Sequence, residues 1–169
     1  MKRLIVSVVA GLALVVTCFA QVPHNTAPHE STPLDVIDGA STPNLIPDLA
    51  AWRLWLLSVT AEDSKRPELS EARRQAFLRV AGIPDMEMHA AEEIIAQFPK
   101  DYAALVDGYN RRPNAGENPP ISEFRAQRDA LVQAVQNTLS GKLETTTLGK
   151  LRKHINGEKA RMKVAREGR

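Results

Sequence analysis

Cysteine is almost missing from this chain. One occurs in 169 residues, Cys18, and it falls in the N-terminal segment. If that segment is removed after Ala20, no cysteine remains. A thiol nucleophile and a cysteine-ligated metal are excluded in that form. An exported protein could use disulfides to hold a small fold. This one must stand on its core, and about 120 residues of globular sequence can bury enough surface for that. Recognisable catalytic signatures are missing too. There is no GxSxG elbow, no Walker loop and no GxGxxG turn, so the sequence announces neither a serine hydrolase nor a nucleotide cradle. No catalytic residue and no cofactor is assigned, and the expectation is a protein without enzymatic activity. No stretch alternates apolar and polar residues convincingly, which argues against a half-buried sheet.

What is present begins with Lys2 and Arg3, an apolar run over residues 4–16, and the small-x-small step Cys18-Phe19-Ala20. That order is the pattern of a cleaved export signal over residues 1–20. The expected location is periplasmic or secreted. The alternatives are an uncleaved N-terminal anchor, or a lipid on Cys18 in the lipobox-like Val15-Val16-Thr17-Cys18. Residues 21–46 hold Pro23, Pro28, Pro33 and Pro43 and few large apolar side chains. They read as a disordered tether that cannot offset its ordering entropy by burial.

Residues 47–169 read as an all-α domain of about five amphipathic helices in a small bundle or helical-hairpin arrangement. Its centre is residues 47–61, which hold both tryptophans. Leu45, Leu49, Trp52, Leu56 and Val59 are spaced by three and four, one stripe of a helix. Trp55 lies beside the stripe and widens it. Helix two covers residues 71–81, with Ala72, Ala76, Phe77 and Val80 expected inside. Gly82 is placed to close it, with Ile83 reaching back to Leu78. Helix three starts at Pro84 and Asp85 and carries Met86, Ala90, Ile94, Phe98, Tyr102, Leu105 and Tyr109 through Pro99, where a kink is expected. Helix four spans residues 120–139 with Ile121, Phe124, Leu131, Val135 and Leu139 on one face. Helix five follows a threonine cap at Thr145, Thr146 or Thr147 and buries Leu148, Leu151, Ile155 and Met162. The expected core is therefore Leu49, Trp52, Trp55, Leu56, Phe77, Phe98, Leu105, Phe124, Leu131, Leu151 and Ile155.

Removing Lys2 and Arg3 leaves 20 basic and 20 acidic residues, so the remainder is neutral but uneven. Residues 150–169 carry a net charge of +6 and residues 21–149 a net of −6. Lys150, Arg152, Lys153, Lys159, Arg161, Lys163, Arg166 and Arg169 supply the positive end. They read as a solvated face that balances the rest of the molecule, or as a contact for a partner or an anionic envelope surface. Nucleic acid is disfavoured, since export removes it and no aromatics interleave the cations for stacking. The oligomeric state is open. His89 and Glu93 stand one helical turn apart beside Met86, Met88 and Glu92, a pair that can share a metal. The plain alternative is a solvated helix pair. His24 and His29 near Glu30 in the tether read as weak metal capture or as solvated linker residues, and His154 with Glu158 as a solvated helix pair.

A leader, a tether and a cysteine-free helical domain together resemble the small periplasmic helical proteins of the Spy/CpxP type. That resemblance implies a cradle of amphipathic helices and a chaperone or sensor role. The family's Leu-Thr-x-x-Gln signature is not met, since the nearest stretch, Leu143-Glu144-Thr145-Thr146-Thr147, has no glutamine. No functional residue carries over. Arg74-Gln75-Ala76-Phe77-Leu78-Arg79 and Gln127-Arg128-Asp129-Ala130-Leu131-Val132 are also similar to exported bacterial proteins of unknown function. The leading expectation is an exported helical protein that binds a protein partner or an envelope component.

Overall fold

The computed structural model describes residues 36–62, 66, 69–111 and 121–166. The segment expected to be an export signal, His24, His29, Glu30, the greater part of the expected tether and Arg169 lie outside these residues. All the described residues belong to one compact unit, residues 33–169.

Among the described residues, five α-helices make an all-α bundle. They are α1 (Asp48–Thr60), α2 (Ser70–Val80), α3 (Asp85–Asn110), α4 (Ile121–Lys142) and α5 (Thr145–Glu158). α1 packs against each of the other four. Its sequence explains that position. Ala51, Trp52, Trp55, Leu56 and Val59 are all buried, and they occupy more of the circumference than one neighbour could cover. Trp52 and Trp55 meet edge to face, with ring centroids 5.8 Å apart at 78°, a geometry that places the positive edge of one ring against the negative face of the other.

α3 and α4 form an antiparallel hairpin. At one end Tyr109 meets Phe124, ring centroids 4.8 Å apart and planes inclined by 45°. At the other, the Glu144 N–H just beyond α4 donates to Glu87 Oε1 near the start of α3, at 2.7 Å. This second contact replaces the expected threonine cap. Glu144 holds the cap position of α5 and makes no side-chain cap bond, so the Glu87 carboxylate serves one of the helix's otherwise unpaired N-terminal amides. Pro99 does not break α3, which is helical on both sides of it.

Several burial assignments change. In α2 the buried residue is Leu78. Phe77 is half-buried, Ala72 and Ala76 are exposed, and Val80 is 72% exposed. In α3 the buried set is Met88, Ala91, Ile95 and Phe98, whereas Met86 is 85% exposed. In α4, Arg128, Val132 and Leu139 are buried, while Ile121 is exposed. Of the expected core, Trp52, Trp55, Leu56, Phe98, Leu151 and Ile155 are buried; Leu49, Phe77, Leu105, Phe124 and Leu131 are half-buried. Leu45 lies on a 3-10 turn, Pro43–Leu45, ahead of α1 and is exposed.

Both ends of the described chain depart from the sequence reading. Residues 36–46, assigned to the disordered tether, are ordered. Val36–Asp38 forms strand β1, and Ile37 and Ile46 enter the core. The basic C-terminus is not one helix. α5 stops at Glu158, a 3-10 turn follows at Lys159–Arg161, and Lys163–Ala165 forms strand β2. The strands pair antiparallel, Val36 with Ala165, Ile37 with Val164 and Asp38 with Lys163. Only the central pair, Ile37 and Val164, is buried, as expected where side chains alternate between faces. Gly39 is what lets the two ends meet. A Cβ there would lie 1.8 Å from the Lys159 carbonyl oxygen and 2.8 Å from that of Met162, and the Gly39 N–H donates to the Met162 carbonyl at 2.9 Å.

Candidate functional site

The cations of the C-terminal segment fall into two groups. Lys159 Nζ is paired with Asp48 Oδ1 at the start of α1, its own side chain only 12% exposed. Arg161 holds Glu158 at 2.9 Å. Lys163 faces Asp38 across the strand pair at 3.6 Å, and Arg166 also has a partner. Much of this charge is therefore answered within the molecule. Lys150, Arg152 and Lys153 are exposed, and among the described residues none has an ion pair.

Lys150 and Lys153 line an open groove of about 650 Å³ between the end of α2 and α5. His154, Glu158, Ala160 and Arg161 line it from the α5 side, Val80, Ala81 and Gly82 from the α2 side, and Gly157 adds to it. Its shape begins with Gly82, which has a φ of +90°. The Ile83 N–H donates to the Leu78 carbonyl and the Gly82 N–H to the Arg79 carbonyl, each at 3.0 Å. This is the Schellman closure expected from the sequence. A Cβ on Gly82 would press into the stem of Lys150, 2.9 Å from that residue's own Cβ. The aliphatic stem of Lys150 thus packs on the closed end of α2, near the negative pole of that helix, where a cation is favoured.

On α5, Lys150, Lys153 and His154 occupy positions i, i+3 and i+4 and so share a face. Leu151 and Ile155 point the other way, into the core. The groove combines cations with short or aliphatic residues. Sequence reasoning found Lys150, Lys153 and Arg161 but missed Val80, Ala81, Gly82, Gly157 and Ala160. Val80 was the one available signal, an apolar residue at the end of a polar helix.

The other candidates are dispersed. His89 Nε2 and Glu93 Oε1 are 3.2 Å apart with side chains 85% and 70% exposed. Among the described residues, no group of three or more histidine, cysteine, aspartate or glutamate side chains is arranged to hold a metal ion. Glu158 is committed to Arg161 rather than to His154. Among the described residues, no helix is long and apolar enough to cross a membrane. No family model, curated protein or solved structure matches the chain.

Proposed function

We propose that this is an exported, non-enzymatic helical protein that binds a protein partner or an envelope component through the basic groove between α2 and α5. The observation that carries the reading is the unanswered charge of Lys150 and Lys153, on the rim of a groove in a segment whose other cations are mostly paired internally. A rigid helix presenting cations beside a concave surface favours association with an anionic partner and raises the rate of encounter. The leader-like N-terminus supports export. A chaperone-like or sensor-like role is the form of binding that the Spy/CpxP resemblance suggests.

The test is cross-linking and co-purification of the tagged full chain from its own envelope, beside a Lys153→Glu variant. A partner recovered with the parent and lost with the variant is the expected result. No partner, together with no suppression of aggregation of an unfolding client, would overturn the proposal.

A second reading, attachment to an anionic envelope surface, is favoured by Arg152, which is exposed and lies beside the groove-lining cations in sequence. Deleting residues 150–169 is not a clean test of it, because Leu151, Ile155 and Val164 would leave the core. Charge reversal at Arg152 and Lys153, read as salt-sensitive loss of vesicle or cell-wall binding, is the appropriate form. Unchanged binding would remove this reading.

A further inference from the structure

We propose that the α2–α5 groove receives an acidic peptide segment carrying an aliphatic side chain, an assignment that rests on the binding function proposed above. Lys150 and Lys153 present their charge, and His154 its ring nitrogens, from one face of α5. Glu158 is the carboxylate lining the groove, and Arg161 already holds it at 2.9 Å. The two lysines are therefore left to an external anion. A lysine is a compact cation that does not need the fixed fork geometry of arginine, so carboxylates along an extended chain can satisfy it in more than one register.

The opposite wall selects between kinds of anion. Val80 is 72% exposed and lines the groove. The backbone groups beside it are closed by the Gly82 turn. Gly157 and Ala160 carry little or no side chain, and nothing lies within 4 Å of where a Cβ on Gly157 would sit, so a main chain can approach closely there. A phosphate polymer would meet the lysines and leave Val80 in water. A peptide with acidic residues flanking one aliphatic residue meets both walls, charge on the α5 side and apolar contact on Val80.

The experiment is fluorescence anisotropy of the full chain with a fluorescein-labelled oligoglutamate peptide bearing one central leucine. The same peptide with glycine in place of leucine, inorganic polyphosphate, and phosphatidylglycerol vesicles serve as competitors. The leucine peptide should bind more tightly than the glycine peptide. Lys153→Glu should raise Kd about tenfold, through loss of one exposed pair and gain of a repulsion. Val80→Ser should raise Kd about threefold for the leucine peptide alone. Both residues are exposed, and unchanged circular dichroism and Tm would show that the variants fold. Equal binding of the two peptides with no effect at Val80 overturns the inference, as does binding of polyphosphate or vesicles without either peptide; in those cases the broader anionic-partner reading survives. Binding of none of the four overturns both.

Discussion

Lys150 to Lys153 and Lys159 to Lys163 are equally basic stretches of one short segment, yet they do different things. In the second, Lys159, Arg161 and Lys163 each meet a carboxylate, on α1, on α5 and on β1 respectively. In the first, Lys150, Arg152 and Lys153 stand on the outer side of a helix whose inner side carries Leu151. The net charge of the segment cannot distinguish them. The difference is set by where the chain goes after Glu158: it leaves the helix, returns along β1 and brings Lys159 and Lys163 over acidic residues of the N-terminal half, while Arg161 turns back to Glu158. Charge asymmetry along a sequence is thus part self-complementarity and part candidate surface. The structure separates the two residue by residue.

The sharpest break in the comparison comes from the inner side of α5. Leu151 is fully buried, so Leu151→Ala should cost about 2–5 kcal/mol, transfer and cavity terms together. Denaturant unfolding should show a lower midpoint with the slope unchanged. A loss below about 1 kcal/mol would mean that α5 does not anchor to the core as described, and the outer-face cations would lose their fixed frame. Trp52→Ala belongs to the same class, at about 3–5 kcal/mol, because Trp52 is buried in the helix that touches all the others.

Gly39→Ala tests the paired stretch directly. The added carbon meets two backbone carbonyls at less than 3 Å, and backbone yields poorly, so a cost of about 1–3 kcal/mol is expected. Amide exchange at Gly39 should accelerate, because its bond to Met162 must open. Gly149→Ala is the control. Nothing lies within 4 Å of a Cβ there, and the position is an exposed helix site, so a gain of up to about 1 kcal/mol is expected. Similar destabilisation by both changes would show that glycine content, rather than the close approach at Gly39, sets the effect.

These residues also show how much of the fold is legible in the sequence. The Gly82 turn was legible because it depends on neighbours in sequence: a glycine, a following isoleucine and the leucine it reaches. The helices themselves were legible from periodicity. Their rotation was less so. In α3, Met86, Ala90 and Ile94 form one apolar row and Met88, Ala91 and Ile95 the adjacent one, with Phe98 common to both, and only packing against the neighbouring helices decides between them. In α2 the same ambiguity put Val80 inside when Leu78 is the residue that α1 and α3 cover. The strands are three residues each, too short to show alternation, and neither exists without the other. The cations of the candidate site were visible, but the groove was not, because its walls come from segments far apart in the chain.

Lys159→Met isolates one paired cation. The side chain is mostly covered while its Asp48 partner is 77% exposed. Removing the charge therefore strands no buried carboxylate, and methionine retains much of the apolar stem. The expected loss is about 0.2–1 kcal/mol, shrinking as salt is added. A loss of several kcal/mol, independent of salt, would place the contribution in packing rather than in the ion pair.

Lys153→Met should have the smallest effect on stability and sharpen the contrast most. Lys153 is exposed and has no ion pair among the described residues. Its stem lies along the groove rather than in the core, so the change in unfolding free energy should stay within about 0.5 kcal/mol. Salt dependence of stability should match the parent, since no attraction within the fold has been removed. Binding of an acidic peptide should nevertheless weaken. A variant that folds like the parent but binds less separates the outward-facing cations from those that tie the chain to itself; destabilisation as large as that of Lys159→Met would erase the distinction.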